Sequence, residues 1–231
     1  MPVFAESKLA EVQEFRQARA AQVPGEVAVA TASIPGARER CAFMAAWTDR
    51  LEPPGARVRL YVASYAAADG SRLAEATLDL PFKMGGGWVG VGIDPAPYGV
   101  SESTTAFAIR TATNFIGGTF DRSDYRFDLL IDDGTKKLRS VLTRSTFDQE
   151  PRPPDEHEFA EMQEDVFLIR DSMSMGFHDI LVKRYVTADG SSPESTAGKR
   201  TLKGHSFYRW NGERYVEQGI VPAPEPPALK R

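Results

Sequence analysis

Cysteine is almost missing from this chain: Cys41 is the only one in 231 residues. No internal disulfide and no cysteine-based zinc site can therefore form. Beside Phe43 and Met44, Cys41 reads as a small core hydrophobe, with no histidine near it in sequence to activate a thiol. A basic stripe is missing too. Lys and Arg number 28 against 32 Asp and Glu, a net charge of −4, and they are scattered apart from short pairs such as Lys136 and Lys137. That distribution argues against a nucleic-acid partner. No apolar run approaches the roughly 20 residues of a membrane-spanning helix. Met1–Gln22 is polar and lacks the apolar stretch and cleavage site of an export signal. The chain is thus expected either to work inside the cell, in the cytoplasm, or to be the mature form of an exported protein.

The usual catalytic signatures are absent as well. There is no H-E-x-x-H pair and no G-x-S-x-G elbow. Gly85–Gly90, GGGWVG, has the letters of a dinucleotide fingerprint, but it opens into VGVGIDPAPY, where Pro95 and Pro97 exclude the required helix. A glycine-rich turn or bulge is the expectation. Of the three histidines, His157 lies in a charge run, while His178 and His205 adjoin predicted strands and can meet only through the fold. The acidic run Asp155–Asp165 reads as a solvated face.

What the chain has in quantity is short strands. Ala5–Gln22 is the one clear helix, with Leu9, Val12 and Phe15 at helical spacing and Pro24-Gly25 as its stop. From Glu26 onward the pattern changes. In ARVRLYVASY, Val58, Leu60, Val62 and Ser64 alternate against Arg57, Arg59, Tyr61 and Ala63. Turns are expected at Asp69-Gly70, Asp133-Gly134 and Asn211-Gly212. The fold class is therefore mainly β, a sandwich or propeller-like arrangement with one N-terminal helix. Five regions are expected: the helix (1–25), a β-rich domain or half (26–147), a Pro-rich acidic linker (148–165) with an acidic helical turn or two, a second β-rich half (166–219), and a Pro-rich tail (220–231).

Within the second half, DSMSMGFHD (171–179) has the outline of a calcium loop without its ligands. Asp171, Gly176 and Asp179 are in place, but Met173 and Met175 occupy positions where a hard cation needs oxygens. The expectation is a metal-free turn in which Asp171 and Asp179 cap backbone N–H groups and Gly176 takes positive φ. The two methionines would fill a cleft or form an apolar contact patch. No cofactor is expected, with calcium as the alternative.

Two longer stretches carry a resemblance. Residues 93–142 hold an Asp-x-x-Pro-Tyr run (Asp94 to Tyr98), an Ala-Phe-x-x-Arg strand (Ala106 to Arg110), a Gly-Gly loop and a Leu-x-x-Val-Leu hairpin arm (Leu138 to Leu142). Residues 171–216 join the Asp loop to an aromatic Tyr-x-Trp-x-Gly-x-x-Tyr hairpin (Tyr208 to Tyr215). Together they resemble bacterial exported β-rich proteins, among them periplasmic lysozyme inhibitors and immunity lipoproteins with an FG-GAP-like Asp loop. The resemblance implies a periplasmic or secreted protein that blocks an enzyme's cleft with a protruding loop. That loop would be Asn114, Phe115, Ile116, Gly117, Gly118, Thr119 and Phe120, with Gly117 and Gly118 carried over from the pattern. The sequence departs from the family in lacking the Ser-Gly-x-x-Tyr inhibitor motif, the lipidated cysteine and the oxygen ligands of the Asp loop.

The functional expectation is a non-enzymatic β-protein that binds another protein, with an inhibitor or immunity role against a cell-wall-degrading or toxin enzyme as its sharpest form. The alternative is a hydrolase or a carbohydrate-binding module, its site assembled from distant segments and using Trp88, Tyr98, Tyr208 and Trp210 as exposed aromatics.

Overall fold

The computed structural model describes residues 28–48, 57–83, 89–117, 120–148, 160–188 and 200–222. The helix expected over Ala5–Gln22, residues 84–88 of the glycine-rich stretch, Gly118, Thr119, residues 149–159 with His157, the tract 189–199 and the tail beyond Pro222 lie outside them. Among the described residues every regular element is a β-strand. The chain divides into two compact units, residues 1–145 and 146–231.

The first unit begins with a four-stranded antiparallel sheet in sequence order: β1 (Ala28–Ser33), β2 (Arg40–Thr48), β3 (Arg57–Ala66) and β4 (Arg72–Lys83). The expected Asp69-Gly70 turn is among its connections. Gly70, at φ +74°, closes β3 to β4, and the Asp69 carboxylate accepts the Ser71 N–H at 2.9 Å. Gly36, at φ +81°, sits between β1 and β2, where a β-carbon would stand 3.1 Å from Pro97 Cβ. Only glycine suits both the backbone and that contact.

A second sheet follows, ordered β5 (Val89–Ile93), β7 (Thr105–Gly117), β8 (Phe120–Asp132) and β9 (Leu138–Asp148), with the short β6 (Tyr98–Gly99) also paired to β7. Both sheets contribute to one core. Ala42, Met44, Val58, Leu60, Val62 and Leu80 come from the first, and Val89, Phe107, Ile109, Leu130 and Leu138 from the second. Full burial of each Val or Leu contributes about 1.5–3 kcal/mol. The alternation in β3 therefore encodes its core face. β2 reads instead as an unbroken apolar run because Cys41, Phe43 and Ala45, on its other face, are buried as well. Burial pushes the Cys41 thiol above its ordinary range, which suits a packing role.

The second unit contains one four-stranded antiparallel sheet in sequence order: β10 (Ala160–Ser174), β11 (Phe177–Ala188), β12 (Arg200–Trp210) and β13 (Tyr215–Pro222). Two boundaries differ from expectation. Residues 160–165, assigned to the linker and to an acidic helical turn, belong to β10, and Ile220–Pro222, assigned to the tail, close β13. In β10 a cross-strand partner runs opposite every position from Ala160 to Ile169, and that pairing outweighs the acidic local composition.

Candidate functional site

The described residues of the stretch expected to protrude as a loop are strand. Asn114, Phe115, Ile116 and Gly117 are the last positions of β7, and Phe120 opens β8. The register runs Asn114↔Ser123, Phe115↔Arg122, Ile116↔Asp121 and Gly117↔Phe120. Among the described residues β5 pairs with β7 from Ile93↔Ile109 to Val89↔Thr113. From Asn114↔Ser123 to Gly117↔Phe120 β7 and β8 stay paired for four positions, about 14 Å at roughly 3.4 Å per residue. The Gly-Gly pair suggested an open loop, whereas cross-strand pairing on both sides carries the strands up to it.

The root of this ribbon explains the two motifs of the 93–142 stretch. Asp94 is buried; its carboxylate accepts Arg110 Nε–H at 2.6 Å and the Ala96 N–H at 2.9 Å. Asp94 therefore fixes the Pro-rich turn and ties it to β7. The Arg110 guanidinium lies 5.3 Å over the Phe127 ring, and Tyr98 meets the same ring edge-on at 6.0 Å. On the core face of β8, Asp128 is fully buried and paired with Arg126 through Nε–H at 2.6 Å and an Nη2–H at 2.9 Å. The Ser140 and Thr143 hydroxyls donate to the same carboxylate at 3.1 and 2.7 Å. These are anchoring groups that hold the strands from which the ribbon extends.

The second candidate, the Asp loop, is the tip of the β10–β11 hairpin. Ser174 pairs with Phe177, so Met175 and Gly176 alone make the turn, at φ +51° and +82°. Positive φ at both central residues is the signature of the hairpin turn whose twist matches its strands. Gly176 behaves as expected; Met175 does not, because a non-glycine residue with an unbranched hydrocarbon stem is held in the left-handed region. Asp171 lies exposed in an irregularity of β10 between Ile169 and Met173. Asp179 is 1% exposed and, contrary to expectation, caps no backbone N–H. It accepts the Ser172 hydroxyl at 2.6 Å and the Ser174 hydroxyl at 2.7 Å, with Arg209 Nε at 3.7 Å. The S-x-S spacing ahead of the turn was the signal for this arrangement, and it becomes legible only once the hairpin register is known.

The methionines fill no cleft. Met173 is 48% and Met175 72% exposed. Met175 reaches toward the neighbouring turn Asn211–Arg214, where its terminal methyl would lie 3.5 Å from a β-carbon on Gly212. In that turn the Asn211 carboxamide oxygen accepts the N–H groups of Glu213 and Arg214. Phe177 stacks on Trp210 at 4.2 Å, and Trp210 meets its cross-strand partner Tyr215 edge-on at 5.3 Å. The Tyr215 hydroxyl donates to the His178 carbonyl at 2.9 Å, and burial, with the Asp179 charge adding, pushes its phenol well above the usual range.

Gly176→Ala is expected to cost about 1 kcal/mol through the positive φ alone, since a β-carbon there meets nothing within 4 Å. Met175→Asn should move stability the other way by a few tenths to about 1 kcal/mol, because asparagine tolerates that backbone. Urea unfolding of the two variants gives opposite signs if the turn is as described; a neutral Gly176→Ala would refute it.

The remaining chemistry is dispersed. His205 lies opposite Lys183, whereas His178 is five positions further along β11, about 17 Å at roughly 3.4 Å per residue. The two histidines therefore do not converge. Tyr98, Tyr208 and Trp210, expected as exposed aromatics, are buried; Trp88 is outside the described residues. Each of the three faces packed neighbours instead of solvent, Tyr98 on Phe127 and Trp210 between Phe177 and Tyr215. No group of three or more His, Cys, Asp or Glu side chains that could hold a metal occurs among the described residues. Compared with family models, curated proteins and solved structures, the chain gives no match.

Proposed function

We propose that the chain is a non-enzymatic binding protein that uses the β7–β8 ribbon to engage another protein, in the manner of an inhibitor or immunity protein against a cell-wall-degrading or toxin enzyme. In this reading the first unit is a sandwich whose two sheets enclose a shared core, and the ribbon is the part of it free to enter a partner's cleft. What supports the proposal is the β7–β8 hairpin itself, whose strands stay paired through the 114–120 stretch up to Gly117↔Phe120. The end of such a hairpin offers backbone donors and acceptors and two strand faces, the elements of β-type recognition. The exported β-rich proteins that the 93–142 and 171–216 stretches resemble act with a protruding element, and an extracytoplasmic site of action follows from the same reading. The carbohydrate-binding alternative needs an aromatic platform, and the burial of Tyr98, Tyr208 and Trp210 takes most of it away.

Because Thr113 faces Asp124, an Asn-Gly turn can replace residues 114–123 and leave the described pairs of β7 with β5 in place. The trimmed chain should keep the wild-type circular dichroism spectrum and melting temperature. In a pull-down from the source organism, the wild type should capture a hydrolase and suppress its activity, and the trimmed chain should do neither. Equal capture by both chains, or capture that leaves the enzyme fully active, would refute this function.

A further inference from the structure

We propose that Met173, Met175 and His178 form a site for a soft monovalent metal ion, Cu(I) or its analogue Ag(I), at the tip of the β10–β11 hairpin. The inference goes beyond the protein-binding reading and does not depend on it. Met173 and His178 are direct cross-strand partners. Directly opposed residues project to the same face with β-carbons about 4.5–5.5 Å apart, a span a thioether and an imidazole can bridge through one ion. His178 Nδ1 is buried and has no hydrogen-bond partner among the described residues. A buried polar atom without a partner asks for one, and an ion is among the candidates. Its backbone is meanwhile fixed, since the His178 carbonyl accepts the Tyr215 hydroxyl.

Met175 supplies the third donor. Its backbone lies at φ +51° and its side chain is 72% exposed, so folding gains neither a relaxed turn nor buried apolar surface from it. What the position does gain is a thioether at the surface on a side chain with three rotatable bonds. In the metal-free arrangement that side chain leans toward Gly212, where the missing side chain leaves it space. Binding of the ion would bring its sulfur round to Met173, two residues away, and to His178.

The donor set decides the class of ion. Two thioethers and a neutral imidazole carry no charge and offer no oxygen, which disfavours calcium and magnesium and suits Cu(I). The nearest buried carboxylate, Asp179, is committed to Ser172 and Ser174. The methionines that spoil the loop for a hard cation are the ligands a soft one requires.

The test is titration of the full chain with silver nitrate in chloride-free buffer, followed by calorimetry and by the Met methyl resonances. Cys41→Ala serves as the background, to remove the one thiol. One Ag(I) per chain is expected, with the methyl signals of Met173 and Met175 shifting. Met173→Leu, Met175→Leu and His178→Gln should each weaken binding at least tenfold, and the double Leu variant should abolish it. Leucine keeps the volume, so unchanged melting curves will show that the hairpin survives. Millimolar calcium should leave the melting temperature where it was. The proposal fails if Ag(I) does not saturate, if the Cys41→Ala background loses binding, or if the double Leu variant binds as well as its parent. A calcium-dependent rise in melting temperature that Asp179→Ala removes would likewise overturn it.

Discussion

Asp128→Ala is expected to cost the first unit about 3–5 kcal/mol, a large share of the roughly 5–15 kcal/mol that holds a domain folded. The Asp128 side chain is fully buried and Arg126, its partner, is 11% exposed. Two guanidinium N–H groups and two hydroxyls converge on the one carboxylate. Arg126 also donates to the Asp79 carbonyl at 3.2 Å, which links β8 to β4 of the other sheet. Removing the carboxylate strands a positive charge and two hydroxyls in a place water does not reach. The penalty is mostly that stranded charge and only partly the lost hydrogen bonds. The double replacement Arg126→Met with Asp128→Leu should therefore recover much of the loss, because both charges leave together. Urea unfolding checks both statements. A loss under 1 kcal/mol for Asp128→Ala, or a double variant weaker than the single one, would show that the pair is better hydrated than its geometry implies.

This network shows where sequence reading stops. Its members at 126, 128, 140 and 143 are ordinary polar residues in predicted strands, and nothing local marks them as partners. Strand alternation was legible because it is local: Val58, Leu60 and Val62 declare a core face within five residues. Turn chemistry was legible for the same reason, so the glycines at 70, 134, 176 and 212 all take the positive φ expected of them. The pairing of Asp94 with Arg110 spans sixteen residues and depends on β7 returning beside the Pro-rich turn.

The two candidate sites failed to read cleanly for related reasons. Between Asn114 and Phe120 the Gly-Gly pair argues for a loop, whereas the strands on either side stay paired up to Gly117↔Phe120. At Met173 and Met175 the sequence alone shows only that the side chains lack the oxygens of a calcium loop. Only the register, which sets Met173 opposite His178, shows what they share a face with. Tyr208 and Trp210 share the buried face of β12 and alternate with the half-buried Phe207 and the exposed Arg209, so the alternation is present and only the packing partners tell which face is inward.

Asp179→Ala should be the most damaging single change in the second unit, at about 3 kcal/mol. The side chain is 1% exposed, and two charge-assisted hydrogen bonds of 2.6 and 2.7 Å end on it. Bonds of this kind contribute about 1.5–3 kcal/mol each when measured by deletion and do not add fully. Arg209 contributes little, since its Nε stands 3.7 Å away and its side chain is 56% exposed. What the carboxylate holds is the shape of the β10 irregularity: Ser172 and Ser174 are drawn onto one group, and Met173 between them is turned toward the other face. Replacing both serines by alanine should cost about as much as removing Asp179, because the buried charge then lacks donors. Adding Asp179→Ala to the double serine variant should change little or improve it, a coupling that urea unfolding can measure. Tyr215 supplies an independent readout. Its phenol is raised first by burial and then by the Asp179 charge, so the folded state favours the neutral form. The stability this contributes is complete below the unfolded value of about 10 and is lost as pH rises through the folded one. In Asp179→Asn the charge is gone and burial remains. The Tyr215 titration should therefore move down toward its ordinary range without reaching it, as an ultraviolet titration of the phenols would record. An unmoved titration, or independent serine and aspartate effects that simply add, would mean that Asp179 does not organise this tip.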